Sequence, residues 1–485
     1  MSAPATLFWH DYETTGADPR RDRPLQFAGL RTDLDLQPIE DPCVFHCRPP
    51  VDTLPAPMAC AVTGLGPRRA QALGMGEAEF AAGVLEELSR PGTCAIGYNS
   101  LRFDDEVTRH LLWRNLYEPY GREWRNGCSR WDLIDTLRLA RALRPEGIIW
   151  PERDDGHPSF RLEDLAAANG IEHAAHDALA DVHATIAMAR LLRAAQPRLY
   201  EFAFGHRDRV SAGDLLRLDA SDPVLHVSNK YSAARGCIAP VAALAAHPVN
   251  RNGVIVADLT ADPAPWLEYD PQELAAALFT PAAERDPAAP RAPLKVVRLN
   301  VAPVLAPMST LTPEAASRLA IDPDTARASL TRLRAVPGLA DRLQQVFAPA
   351  PPPVEADVDV ALYDGFVPDA DRARMDAVHR CAPDDLAGFD PGFADARLTE
   401  LYFRYRARNW PGTLDADERA RWDELRRRRL IEGAGGSPRS LAEFRQALAE
   451  AVASGDVNAD LAAELEGWAE ELTVDLPAAS EPVHA

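Results

Sequence analysis

Lysine is almost absent from this chain: of 485 residues only Lys230 and Lys295 are lysines, so arginine carries nearly all the positive charge. That bias reads first as codon usage rather than as phosphate recognition. Basic residues are also outnumbered, 52 Lys and Arg against 73 Asp and Glu, for a formal net charge of −21. Such a balance repels phosphate at long range, but salt confines the repulsion to about 10 Å. A nucleic-acid partner is disfavoured, not excluded. No run of about 18 uncharged apolar residues occurs, so no segment reads as a membrane-spanning helix. The opening MSAPATLFWHDYETTG has neither the basic n-region nor the apolar h-region of a secretion signal, and the expectation is a cytoplasmic protein. The seven cysteines, an odd number spread from Cys43 to Cys381, suit reduced thiols better than a disulfide framework. Cys43 and Cys47 have no second Cys/His pair at zinc-like spacing and read as structural.

What is present is the composition of a soluble globular protein, 46% hydrophobic and 26% charged, too long for one ordinary core. Residues 1–197 alternate between strand-like runs (6–12, 26–32, 93–98) and helical periodicity (77–88, 104–116, 131–143, 178–194), which predicts an α/β domain with a mixed sheet. Over 198–350, short β-branched runs at 224–227, 253–259 and 294–300 are separated by Pro, Gly and Asn, with helical patterns at 313–319 and 323–335. A small β-rich domain with helical additions is expected there. The segment APAPPPV at 348–354 reads as a stiff linker. Five helical patterns follow (369–378, 398–408, 416–430, 440–454, 460–472), so a C-terminal helical domain is expected over 354–475, with 476–485 as a disordered tail.

The most informative segment is LFWHDYETTG at 7–16. Asp11 and Glu13 stand two apart at the end of an apolar strand, so both side chains leave the same face. Adjacent carboxylates repel unless a cation neutralises them, and Mg²⁺ or Mn²⁺ suits oxygen ligands. Taken alone, the pair also fits a solvated strand end. Two further segments change the weighing. GYNSLRFD at 97–104 places Asp104 where a helix begins, and HDALAD at 176–181 puts His176 just before a helix with Asp181 in its first turns. Each has an ordinary explanation in helix capping.

Together, Asp-x-Glu, then Asn-x-x-x-Phe-Asp, then His-x-x-x-x-Asp, in that order, resemble the exonuclease superfamily named for its Asp, Glu, Asp, Asp and His residues. The resemblance implies a ribonuclease H-like fold, with Asp11, Glu13, Asp104 and Asp181 as ligands of two Mg²⁺ ions (Mn²⁺ may substitute) and His176 as general base. Asp105 and Asp177 lie off the motif and are taken as bystanders. Longer segments are similar to the bacterial exonuclease I family: HDYET (10–14), RFDDEVTR (102–109), RWDL (130–133), ALRPEGI (142–148), PSFRLE (158–163) and YRARNWPGTL (405–414). That family's architecture is an exonuclease domain, a small Src-homology-like barrel and an all-α domain. Its activity is 3′→5′ removal of mononucleotides from single-stranded DNA, serving DNA repair and recombination. Superfamily relatives acting on RNA or short oligonucleotides, and a non-catalytic replication scaffold, are the alternatives. The extra domains count against the first and the intact motif against the second.

Between Arg109 and Arg144 aromatic and basic residues interleave. Bases stack on aromatics while arginines track phosphates, so Arg109, Tyr120, Trp124 and Arg138 are candidate DNA contacts; Trp113 and Trp131 could equally be core. Glu13, Thr14 and Arg161 are candidate contacts to the substrate's end, the last again by resemblance. The run Arg426–Arg429, with Arg404, Arg406 and Arg408, is expected to face solvent. The family also binds the acidic C-terminal tail of single-stranded DNA-binding protein, and Arg144 is the candidate contact. A groove formed within one chain makes a monomer the default.

Overall fold

A computed structural model describes residues 5–173, 177–281, 284, 292–348 and 357–477. The expected linker and tail therefore fall largely outside the described residues, as does His176. Packing divides the chain into two units that do not follow chain order. One holds residues 2–129, 174–183 and 353–485, the other 130–173 and 184–352.

The first unit is built on strands β1 (Thr6–Thr14), β2 (Pro24–Thr32), β3 (Cys43–His46) and β4 (Thr93–Gly97). β1 pairs antiparallel with β2 and parallel with β4, and β2 antiparallel with β3. Every residue of β2 and β4 is buried, as expected for strands covered on both faces. Phe8, Tyr12 and Phe27 meet Phe80, Val84 and Leu88 of the helix Glu77–Ser89 in one core cluster.

The C-terminal helices belong to this same unit. Trp113 and Leu116 pack with Met375, Leu398, Leu401 and Tyr405, while Leu54 and Cys60 pack with Phe444, Leu448 and Trp468. Buried charges lie between the same segments. Arg408 donates to Asp52 at 2.7 Å and to Asp359 at 3.1 Å; Arg429 Nη1 reaches Asp359 at 3.1 Å; Arg404 grips Asp357 through two bonds of 2.7 and 3.0 Å. These arginines hold the Asp52 and Asp359 carboxyls far below the usual range against the opposing effect of burial. The expectation that the arginine-rich helices face solvent is thereby corrected in part: Arg404, Arg406, Arg427 and Arg429 are buried while Arg428 is exposed. Arg404 and Arg429 pair with Asp357 and Asp359 on a distant segment, and Arg406 and Arg427 with the nearer Glu418 and Glu424.

Strand β5 (Ser129–Asp132) carries the chain from the first unit into the second. The sequence pattern predicts a helix from residue 131, but it begins at Leu133, where the Asp132 carboxylate accepts the Ile134 amide at 3.1 Å. Helix Leu133–Leu143 gives Leu139, Ala142 and Leu143 to the main core of the second unit. That core is closed by β6 (Val224–Val227), β7 (Ile238–Ala246), β8 (Gly253–Asp258), β9 (Leu294–Arg298) and β10 (Leu305–Pro307), an antiparallel sheet of order β10-β6-β7-β8-β9. β7 escapes sequence reading because five of the nine residues of IAPVAALAA are alanine and one is proline. Among the described residues no helix is long and apolar enough to cross a membrane.

Candidate metal centre

The centre starts on β1, held by β4 over residues 6–9 and by β2 beyond, with Asp11 opposite Ala28 and Glu13 opposite Gln26. Period-two alternation sends both carboxylates to one face. Asp104 arrives by a second route. After β4 the chain turns through Asn99, whose φ of 61° is a left-handed conformation that asparagine tolerates, and Asp104 opens the helix Asp104–Arg114. The partial positive charge of the helix start favours an acid there. The Thr108 hydroxyl lies 3.0 Å from the Tyr12 hydroxyl and donates to the Asp104 carbonyl at 2.8 Å, fixing this helix against β1. Asp181 arrives third, on the first turn of the helix Ala178–Ala195. Asp177 is not inert: its carboxylate accepts the Ala180 amide at 3.1 Å, capping that helix.

Oxygens of Asp11, Glu13 and Asp181 all lie within 4.8 Å of one another. Burial first, and then the charges of Asp104, Asp181 and Glu13, raise the Asp11 carboxyl well above its ordinary range. Glu13 is pushed up to about 8 by burial, Asp181 and Asp177. Neither Asp11 nor Glu13 is ion-paired among the described residues. Burial and neighbouring acids thus oppose ionisation of Asp11 and Glu13, and the all-oxygen donor set of Asp11, Glu13 and Asp181 suits a hard divalent cation. The residues fit the metal that the motif implies.

The other expected contacts are more dispersed. Thr14 is buried beside Glu13 and donates to the Gly16 carbonyl at 2.6 Å. Trp124 is 61% exposed, with Arg125 5.3 Å over its ring. Tyr120 and Trp124 line a concavity of about 360 Å³ together with Tyr363, Phe366, Arg125 and Arg372. Tyr363 and Phe366, on either side of Asp364-Gly365, are lining residues that the sequence pattern does not single out. Arg109, by contrast, is buried and bidentate to Glu123 at 2.7 and 3.0 Å, with Glu106 at 2.5 Å. In the second unit, Arg138 is buried, bonds Asp135 at 2.6 Å and lies 5.4 Å from the Phe160 ring centre, while Arg161 is exposed and bonds Glu163 at 2.7 Å. Arg144 lines a separate, mainly apolar cavity of about 440 Å³ with Leu139, Leu143, Leu199, Phe202 and Ala306, its guanidinium bonded to the Thr310 carbonyl at 3.2 Å.

Comparison with known proteins covers nearly the whole chain. Residues 8–189 match the family model "Exonuclease", 207–349 the "Exonuclease I SH3-like domain" and 356–472 the "Exonuclease I C-terminal domain". Exodeoxyribonuclease I of Escherichia coli K12 is 49% identical over 426 residues, 87% of this chain and 89% of that protein. The solved Exonuclease I of Methylocaldum szegediense, described as moderately thermophilic, superposes with a TM-score of 0.92 at 50% identity, covering 96% of this chain and 99% of that one. A zinc-bound complex of the Escherichia coli protein with single-stranded DNA superposes with a TM-score of 0.90 at 44% identity, covering 97% and 99%.

Proposed function

The chain belongs to the exonuclease I family, and from that premise we infer that it is an exodeoxyribonuclease that hydrolyses single-stranded DNA from the 3′ end to 5′-mononucleotides. The observation that carries the reading is the convergence of Asp11, Glu13 and Asp181 within 4.8 Å, with Asp104 raising the Asp11 carboxyl from close by. Asp11, Glu13, Asp104 and Asp181 would hold two divalent ions, Mg²⁺ in our reading, with Mn²⁺ as a substitute. Bound there, such ions supply an activated water and neutralise charge on the scissile phosphate and its leaving oxygen.

The protein's own residues do the rest. Asp11 and Glu13 are presented by a strand paired to β2 at both positions, so their spacing is set by backbone geometry rather than by mobile side chains. His176 accepts the proton of the attacking water, since an imidazole titrates near neutral pH. Thr14 and Arg161 contact the substrate's terminal nucleotide, and Tyr120 and Trp124, with Tyr363 and Phe366, offer ring faces to upstream bases. Arg109 and Arg138 commit their buried guanidinium groups to Glu123 and Asp135 and are not among the proposed phosphate contacts. The Arg144 cavity, apolar with a cation at its edge, suits the acidic, apolar C-terminal tail of single-stranded DNA-binding protein. We further propose a cytoplasmic monomer active in DNA repair, with domain boundaries at 1–197, 198–350 and 354–475.

End-labelled single-stranded DNA incubated with the protein and Mg²⁺ tests the reading. Mononucleotides released from the 3′ end only, and none after chelation, are expected. Release from the 5′ end, or none with Mg²⁺ supplied, overturns it.

A further inference from the structure

Arg439 lies 417 residues from Asp22 in the chain, in the C-terminal part of the first unit, yet its guanidinium Nη2 donates to the Asp22 carboxylate at 2.8 Å. Asp22 is 2% exposed, and the same carboxylate oxygen accepts the Thr15 hydroxyl at 3.0 Å. Thr15 is the centre of the turn that follows Glu13. Its amide donates to the Arg23 carbonyl at 2.8 Å, its hydroxyl accepts the Arg23 amide at 2.9 Å, and its carbonyl accepts the Ala56 amide at 2.7 Å. At Gly16 a Cβ would stand 2.5 Å from Asp22 Oδ2 and 2.6 Å from Arg439 Nη2, so the turn's backbone rests directly on the ion pair.

The turn needs such support because the sheet stops holding β1 where it begins. The β1–β2 register breaks between Glu13 and Thr14, and Thr14 stands opposite Pro24, which has no amide to donate. Beyond Glu13 the backbone is fixed by Thr15 and by whatever fixes Thr15. Arg439 is well anchored for this. Its Nη1 donates to the Leu54 carbonyl, and the next residue, Ser440, is the N-cap of the helix Leu441–Ser454 with a complete capping box. That helix packs through Phe444 and Leu448 on Leu54 and Cys60.

We propose that Arg439 is a positioning residue for the metal centre: through Asp22 and Thr15 it locks the turn that orients Glu13 and Thr14, coupling the C-terminal helices to catalysis. This rests on the assignment of Glu13 as a metal ligand. Without the guanidinium, a buried carboxylate loses its countercharge, and Asp22 draws away from Thr15 toward water.

The test uses the full chain with Arg439→Ala, Arg439→Lys and Asp22→Asn, alone and combined. Mn²⁺ binding without DNA is followed by calorimetry, the Mg²⁺ needed for half-maximal hydrolysis by assay, and folding by near-UV circular dichroism. Folded Arg439→Ala is expected to bind Mn²⁺ about tenfold more weakly and to need correspondingly more Mg²⁺, as when a group behind a metal ligand is lost. Arg439→Lys, keeping the charge but not the fork, should fall between, and Asp22→Asn should add nothing to Arg439→Ala. A purely structural role would lower the amount of active protein without moving metal affinity, so a shift within about twofold overturns the proposal. Should Arg439→Ala fail to fold, Arg439→Lys decides, and unchanged Mn²⁺ affinity there overturns it too. A wild-type chain inert toward single-stranded DNA overturns the parent reading as well, whereas an active wild type with unmoved variants overturns this one alone.

Discussion

Arg122 donates from Nη2 to the carboxylate of Asp105 at 2.7 Å, and both side chains are buried. Asp105 is the immediate neighbour of Asp104, so two adjacent acids divide their work: one raises the Asp11 carboxyl from close by while the other neutralises a buried cation.

That division predicts opposite outcomes at neighbouring positions. Asp105→Ala leaves the buried Arg122 guanidinium with only the more distant Glu123, at 3.9 Å, and should destabilise the protein by about 3 kcal/mol. Asp104→Asn should abolish hydrolysis of single-stranded DNA while leaving the unfolding temperature unchanged or higher, because one repelling charge is gone. Thermal unfolding and a nuclease assay on both variants check the pair, and equal loss of stability would refute it.

Stability of the metal-free protein should fall as pH rises. Asp11 and Glu13 both have folded-state carboxyls shifted above their ordinary values, Glu13 to about 8, so between pH 4.5 and about 8 the folded state binds more protons than the unfolded one. Stability then decreases with pH across that window. The unfolding temperature measured in chelator should drop from pH 5 to pH 8, and saturating Mg²⁺ should flatten the slope. Asp11→Asn should flatten it without metal. A rising curve in chelator would contradict the clustering of these acids.

Two candidate DNA contacts should separate by what they cost. Trp124 is exposed and bonded only lightly to its surroundings, so Trp124→Ala should weaken oligonucleotide binding by about 1–3 kcal/mol with little change in stability. Arg109→Ala leaves Glu123 and Glu106 without their buried partner and should lower the unfolding temperature first. Fluorescence anisotropy beside thermal unfolding distinguishes them.

Arg144→Glu should weaken binding of a peptide with the sequence of the single-stranded DNA-binding protein tail by about 2 kcal/mol or more, by reversing the charge at the mouth of an apolar cavity. Hydrolysis of naked single-stranded DNA should stay at the wild-type rate. Unchanged peptide affinity would remove this cavity as the docking site.

The candidate acids are legible in the sequence because they sit on elements whose geometry sequence specifies locally. Strand alternation places Asp11 and Glu13 together, and a helix start places Asp104. The buried pairing of Asp105 with Arg122, 17 residues on, is not legible in the sequence because the two become neighbours only once the chain is folded, whereas the Asp177 cap on the Ala180 amide is local.

The sequence by itself marked most of the helices, the strands β1, β2 and β4, and the candidate acids Asp11, Glu13, Asp104 and Asp181, since these depend on patterns a few residues long. Tertiary structure alone decided which arginines are free to meet a phosphate. The basic stretch from Arg109 to Arg138 and the arginine-rich C-terminal helices look alike in one dimension, but buried carboxylates claim Arg109, Arg122, Arg404 and Arg429. Charge pairing in a dry interior acts across space, and the acids that neutralise Arg404 and Arg429 come from segments tens to hundreds of residues away.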